Sequence, residues 1–301
     1  MRGSPQRQAR SIVALLKQIG ESKHRAKAKA RAAGEPGVKV NHRLGIFSFN
    51  TARNYQATYT RFLSWARETH GITDACRITS DHAREWLEMN IERNLSYDTI
   101  QSYAAALEKL PSALQSMGIE RDPNWSRVIQ QCRRLGRQTA PSVRTSRAFK
   151  QPFAVVEQLS GQHRVAAELQ LHCGCRVGEI TELKVGRNLR EPNQLRLTNT
   201  KGGLVRTVAV PEETFKKLLH YLDQNGVFRI DRKSYAADLK QAAVQLGEQW
   251  SGTHALRWNY SRNRMFELEM GGQKTFETAR HVVSHELGHK RPEITQWYLR
   301  G

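Results

Sequence analysis

Arg176, Lys201, His254, Arg257, His289 and Tyr298 follow one another through the second half of the chain. They bring together two guanidiniums, an ammonium, two imidazoles and a phenol. That set makes chemical sense on a phosphodiester. Attack by a tyrosyl oxygen on phosphorus gives a five-coordinate species with extra charge on its non-bridging oxygens. Two guanidiniums can hold those oxygens through paired hydrogen bonds. Preorganised donors of this kind contribute on the order of 3 kcal/mol each. A lysine can protonate the departing 5′ oxygen. A histidine can accept the phenol proton, because a phenol with a pKa of about 10 stays protonated at neutral pH. The product is a covalent phosphotyrosine, which keeps the bond energy for rejoining. Fixed cations take the place of a metal, so the set implies no cofactor.

Spacing dictates the elements that must position these groups. His254 and Arg257, in THALRWNY, are three residues apart and share one face of a helix. His289 and Tyr298, in VSHELGHKRPEITQWY, are nine apart. On one unbroken helix, at about 100° per residue, they would point to opposite sides. Pro292 removes the difficulty as the first residue of a new helix. The sequence therefore predicts that His289 ends one segment, the chain turns through Lys290 and Arg291, and Tyr298 rides a short helix that folds back. Lys201 falls in a Lys-Gly-Gly turn within QLRLTNTKGGLVRTVAV. Leu195 and Leu197 on one side, and Leu204, Val208 and Val210 on the other, read as a β-hairpin. Lys184 is a weaker rival for the lysine. Arg176 stands among glycines in CGCRVGEITEL. Glu179, three residues on, is better suited to brace the site than to act in it.

Arg176-Val-Gly-Glu179, the hairpin lysine, His254-Ala-Leu-Arg257, Leu287-Gly-His289 and Tyr298 together resemble the signature of the tyrosine recombinases, the phage-integrase family. Order and spacing agree over residues from about 150 to 301. The resemblance implies an enzyme that cuts DNA at specific sites through a 3′-phosphotyrosine, exchanges strands within a tetramer and reseals them. It implies Tyr298 as nucleophile, Arg176 and Arg257 on the scissile phosphate, and Lys201 as general acid. His254 matches the general base and His289 a further phosphate donor. The implied fold is mainly α with a small antiparallel β-sheet, in a two-domain clamp around duplex DNA. Two departures stand out. Lys290 and Arg291 follow the LGH histidine, where many relatives carry small hydroxyl residues. Only Leu299, Arg300 and Gly301 follow the tyrosine, where many relatives continue into a segment that docks on a neighbouring subunit. A different subunit linkage is expected, with the N-terminal arm as its candidate, unless the chain is cut short.

The rest of the sequence fits a DNA-binding protein. Lys and Arg number 48 against 28 Asp and Glu, a net charge of +20. Such an excess is costly in self-repulsion unless a polyanion shares the surface, and nucleic acid is the natural partner. No apolar run approaches the roughly 20 residues of a membrane span, and no long helix couples the charge to a broad apolar face. No signal-peptide pattern opens the chain, so a cytoplasmic protein is expected. Cys76, Cys132, Cys173 and Cys175 make neither a disulfide framework nor a metal site with further ligands at defined spacing.

Four parts are expected. Residues 1–45 hold eleven Lys/Arg against Glu21 and Glu35 and read as a basic arm, whose SKHRAKAKARAAGEPG stretch is helix-capable but not core-forming. Residues 46–138 read as a helical DNA-binding domain. Its first helix sets Tyr55, Tyr59, Phe62, Leu63 and Ala66 on one face, with Asn50 or Thr51 as N-cap and Gly71 at the end. A second helix starts at Ser80 or Asp81, a third is broken or bent at Pro111, and WSRVIQQCRRLGRQ is a fourth. Residues 139–150 read as a linker. Arg133, Arg134, Arg137, Arg144, Arg147 and Lys150, with no acidic residue among them, are the candidate phosphate contacts. Residues 151–301 form the catalytic domain, with a helix pair or broken helix over HRVAAELQLHCGCRVGEITEL and helices near 212–224, 232–247 and 253–270. His172, His281 and His285 read as structural or solvent-facing, and Trp258 and Trp297 as core.

Other functions share parts of this pattern. A DNA-binding accessory protein of the same fold needs no intact catalytic series. A DNA-relaxing topoisomerase uses a nearly identical site on a different scaffold. A metal-dependent nuclease needs an acidic ligand cluster, which is not visible. The intact series favours a site-specific recombinase of double-stranded DNA, acting as a homotetramer with possible accessory DNA-bending proteins, in integration, excision or resolution of a mobile element.

Overall fold

The structure is a computed structural model. It describes residues 1–34, 44–120, 122–139, 146–190, 192–198, 200, 205–271, 274–289 and 292–299. The chain divides into two compact units, Met1–Val143 and Arg144–Gly301.

The first unit is helical. Its helices are α1 (Pro5–Leu16), α2 (Lys23–Ala32), α3 (Phe49–His70), α4 (Ser80–Glu92), α5 (Tyr97–Leu107), α6 (Leu110–Gln115) and α7 (Trp125–Thr139). In α3 the buried residues are Ala52, Thr58, Tyr59, Phe62, Leu63 and Ala66, while Tyr55 is only partly buried. Ser48 caps this helix, its hydroxyl accepting from the Thr51 amide, and Gly71 ends it at φ 64°. The cap thus lies two residues ahead of the expected Asn50. The α4 cap is likewise Thr79 rather than Ser80, with His82 returning a bond to the Thr79 amide. Pro111 falls in the first turn of α6, where its missing N–H costs nothing, so of the two readings, broken or bent, the segment is broken, into α5 and α6. The largest buried aromatics are satisfied: Tyr59 Oη donates to the Ala106 carbonyl at 2.7 Å and Trp125 Nε1 to that of Leu107 at 2.9 Å.

The expected arm over 1–45 needs correction. Ala9, Ile12, Val13 and Leu16 of α1 are buried in the core of the first unit. Their i, i+3, i+4, i+7 spacing is that of an amphipathic helix. Gln8 pins the helix by donating to the carbonyls of Gly3 and Thr73 and accepting from the Ala75 amide. The chain after α1 pairs with Ile46. Among the described side chains of α2, which is built from Lys, Arg, His and Ala, none is in the core.

The second unit is α8 (Pro152–Glu157), α9 (Gly161–Cys173), β1 (Glu182–Lys184), α10 (Val185–Asn188), β2 (Leu189–Arg190), β3 (Gln194–Leu197), β4 (Arg206–Ala209), α11 (Glu212–Asn225), β5 (Val227–Arg229), α12 (Arg232–Gln245), α13 (Ala255–Met270), α14 (Phe276–Glu286) and α15 (Glu293–Tyr298). The class is mainly α with small antiparallel sheets, as expected. Strands β2, β3 and β4 form one sheet, with Leu195 opposite Val208 and Leu197 opposite Arg206. Strands β1 and β5 form a second. Helix α9 is buried almost all round and stops at Gly174. No second helix follows, contrary to the helix pair read from HRVAAELQLHCGCRVGEITEL. A single 3₁₀ turn, Val177–Glu179, leads directly into β1. The last part of the expected linker also packs into this unit. Phe149 is in its core, and its backbone exchanges two hydrogen bonds with the Asn259 amide group.

Candidate active site

Arg257 lies in the first turn of α13 and is fully buried. A buried cation needs partners in every direction it can donate. Two of them are the frayed ends of other helices. Gly174, which ends α9, offers its carbonyl to Nη1, and Leu287, which ends α14, offers its carbonyl to Nη2. Helix C-termini carry partial negative charge, so the guanidinium sits where two of them converge. Burial, and then the charge of Arg176, push its pKa down to about 10. Gly174 has φ +60°, and a Cβ there would lie 2.5 Å from Cδ1 of Tyr260. Only glycine fits so close to the ring at this helix end.

His254 immediately precedes α13, one turn ahead of Arg257. Its Nε2 is 2.8 Å from the hydroxyl of Tyr298. Burial, then the charges of Arg257, Arg147 and Arg176, lower its pKa to about 4, so the ring is neutral at physiological pH. His289 follows Gly288, whose φ of +65° turns the chain out of α14. Its Nε2 is 3.3 Å from Arg257 Nη2 and its Nδ1 is 2.9 Å from Thr295 Oγ1. Burial, then Arg257, Arg176, Arg206 and His254, lower its pKa to about 3. Helix α15 folds back from Pro292 and delivers Tyr298 among three rings, with centroids 5.7 Å from His254, 5.1 Å from Trp258 and 5.3 Å from His289.

Arg176 joins through Glu179. The carboxylate accepts four hydrogen bonds of 2.8 Å, from the Arg176 amide, Arg176 Nη1, Arg206 Nη1 and Arg206 Nη2. Burial alone would raise the Glu179 pKa, but the bonds and charge of Arg206, then those of Arg176, hold it below the ordinary carboxylate value. Arg206 also reaches the Gly174 carbonyl at 3.5 Å. One buried carboxylate thus orients two guanidiniums beside a third.

Among the solved structures with this architecture are recombinases and integrases bound to DNA. The site-specific recombinase XerH, bound to palindromic difH substrate in a post-cleavage complex, covers all of this chain over 94% of its own, at 14% identity and a TM-score of 0.60. The Tn1549 transposon integrase in complex with transposon right end DNA matches 97% of this chain and 95% of its own, at 14% identity and a TM-score of 0.58. A lambda integrase dimer bound to a COC′ core site matches 85% and 72%, at 18% identity and a TM-score of 0.59. The chain has the fold of the tyrosine recombinases. No protein-family model and no curated protein matches the sequence.

Within that fold, five of the six sequence-selected residues, Arg176, His254, Arg257, His289 and Tyr298, form one constellation. Lys201 lies outside the described residues. Lys184 is paired with Glu182 on the surface. Trp258 is buried, but against the tyrosine itself, and Trp297 is 40% exposed rather than core. His172, His281 and His285 face solvent. Among the basic candidates, Arg134, Arg137, Arg147 and Lys150 are exposed, while Arg144 lies outside the described residues. Arg133 is engaged instead, forked onto Glu108 by two hydrogen bonds. Two site residues escaped the sequence reading, Arg206 and Thr295. The alternation Leu204, Arg206, Val208, Val210 places an arginine on the apolar face of a strand, which is the signal that could have found Arg206.

Proposed function

We propose that this chain is a site-specific DNA recombinase that cuts and rejoins DNA through a 3′-phosphotyrosine. The observation that carries the reading is the 2.8 Å contact between the Tyr298 hydroxyl and the neutral Nε2 of His254, beside a guanidinium held by two helix ends. Tyr298 Oη attacks phosphorus and the bond to the 5′ oxygen breaks. The phenol proton passes to His254, and the 5′ oxygen takes a proton from Lys201. Arg176 and Arg257 stabilise the charge on the non-bridging oxygens, with His289 as a further phosphate donor. Attack by a 5′ hydroxyl reverses the steps and releases the tyrosine.

The partner is double-stranded DNA carrying a recombination site, bound by a homotetramer, with DNA-bending accessory proteins as possible helpers. Arg134, Arg137, Arg144, Arg147 and Lys150 would contact phosphates, so that affinity falls steeply with salt. The biological role would be integration, excision or resolution of a mobile element, in the cytoplasm. Fold likeness to DNA-bound recombinases supports this reading.

The test is a suicide substrate built from DNA flanking the gene, comparing the protein with Tyr298→Phe. A covalent complex that survives denaturant and disappears in the variant is the expected result. A complex that persists in Tyr298→Phe would move the nucleophile elsewhere. Tight DNA binding without any covalent complex would favour an accessory protein of the same fold.

A further inference from the structure

The hydrogen bonds around His289 fix more than its position. Arg257 Nη2 can only donate, so the Nε2 it approaches at 3.3 Å must be the accepting nitrogen of a neutral ring. The proton of that ring is then on Nδ1, which is 2.9 Å from Thr295 Oγ1. Thr295 is fully buried. It sits on α15, three residues ahead of the tyrosine and one helical turn away. The helix that brings the proposed nucleophile therefore also supplies the group that holds the imidazole.

We infer that Thr295 is a positioning residue that, together with the donor Arg257 on Nε2, holds His289 in its Nδ1–H tautomer and ring angle from the helix carrying Tyr298, by supplying the acceptor that the Nδ1–H needs. The inference rests on the recombinase reading for its effect on catalysis but not for the tautomer itself. Docking of α15 then does two things at once. It places the phenol against His254, and it holds the imidazole that faces Arg257. A tyrosine helix that lifts away takes the Nδ1 partner with it, so nucleophile and phosphate site are assembled together. A hydroxyl both donates and accepts, so Thr295 keeps a bond to Nδ1 if a bound phosphate draws the proton to Nε2. The charged and titratable groups facing the ring are the guanidiniums of Arg257, Arg176 and Arg206, the imidazole of His254 and the phenol of Tyr298.

The test compares Thr295→Val, Thr295→Ser and the parent chain, each full length. Valine keeps the branched shape and removes the hydroxyl, and serine restores it. Nitrogen-15 spectra of the histidine rings, without DNA, read the tautomer directly. The parent chain and Thr295→Ser should show His289 with Nδ1 protonated and Nε2 bare. Thr295→Val should show a mixed or reversed pattern. On the suicide substrate Thr295→Val should form covalent complex about tenfold more slowly, the worth of one buried hydrogen bond, while Thr295→Ser stays near the parent rate. DNA affinity should be nearly unchanged in both. A Thr295→Val protein that keeps the single Nδ1–H tautomer overturns the inference, as does one with the parent cleavage rate alongside a cleaving parent. If the parent itself never forms a covalent complex, the recombinase reading fails, and the spectra still decide the role of Thr295.

Discussion

Replacing Glu179 by glutamine would test whether the arginine pair is assembled as described. Each oxygen of the carboxylate takes one bond from Arg176 and one from Arg206: Oε1 from the two Nη1 groups, Oε2 from the Arg176 amide and Arg206 Nη2. A glutamine has one oxygen, and its NH₂ can only donate. Whichever way it turns, two N–H groups face another donor, and the negative charge is gone. Removing one partner of a buried ion pair typically costs about 3–5 kcal/mol. Arg206 is 8% exposed and cannot escape to water, whereas the Arg176 side chain is 21% exposed and can. The lower end of that range, about 3 kcal/mol, is therefore expected. For a unit the size of residues 144–301, at roughly 2–4 °C per kcal/mol, the melting transition should drop by about 10 °C. Scanning calorimetry of the full chain at pH 7 reads it as a fall in the second unit's transition. A double-mutant cycle with Arg206→Met sharpens the test. The combined cost should fall short of the sum by at least about 1 kcal/mol, since each change removes part of the same network. Covalent-complex formation by Glu179→Gln should fall about 100-fold at a temperature where the protein is folded. A shift below about 2 °C, or a strictly additive double mutant, would show that Glu179 does not hold the two arginines.

Three further outcomes follow from the same geometry. Gly174→Ala should destabilise the second unit by about 2–4 kcal/mol in urea unfolding, because it combines a left-handed backbone with a Cβ driven into the Tyr260 ring. Ile12→Ala should cost the first unit about 3 kcal/mol by the same measurement, as a core residue does and an arm residue would not. His254 should stay neutral in a histidine NMR titration until pH falls to about 4. The unfolded chain takes up that proton from about pH 6.5, so the histidine's contribution to stability should decline between those two values as pH falls and be fully present above them. A His254 resonance titrating near pH 6.5 would show that the ring is not held in its buried, cation-flanked setting.

The constellation around Tyr298 is legible in the sequence where its residues follow short-range geometry. His254 and Arg257 needed only the period of one helix. The reversal between His289 and Tyr298 was readable from one proline. What escaped was set by long-range pairing. Arg206 owes its place to the register of β3 and β4 and to a carboxylate 27 residues away. Strand β1 is three residues long and pairs with β5 across more than 40 residues, so nothing local distinguishes it from the helix end before it. The misreading of α1 was of another kind. Its apolar stripe at Ala9, Ile12, Val13 and Leu16 was present, but the charge of the following segment dominated the composition of the whole stretch. Averaging over 45 residues hid a helix of 12.

The electrostatics of the site point to what it lacks. Arg176, Arg206 and Arg257 bring three positive charges, Glu179 returns one negative charge, and both histidines are held neutral by burial first and then by the excess. Carbonyl dipoles ease the burial of Arg257 but do not cancel its charge. A pocket so unbalanced is destabilised by self-repulsion until an anion arrives, and then gains from the same charges that repelled one another. A phosphodiester would do more than neutralise. Its charge would raise the pKa values of His254 and His289 toward the range in which they can take up a proton. Arg257 has no exposed surface and Tyr298 is only 9% exposed, so a phosphate cannot reach Arg257 while α15 stays where it is. If the chain acts as proposed, α15 would have to give way, with Thr295, to admit the phosphate. Its closure would then restore the His289 contact, bring the phenol to the phosphorus and seal the charge from water, where each arginine is worth most.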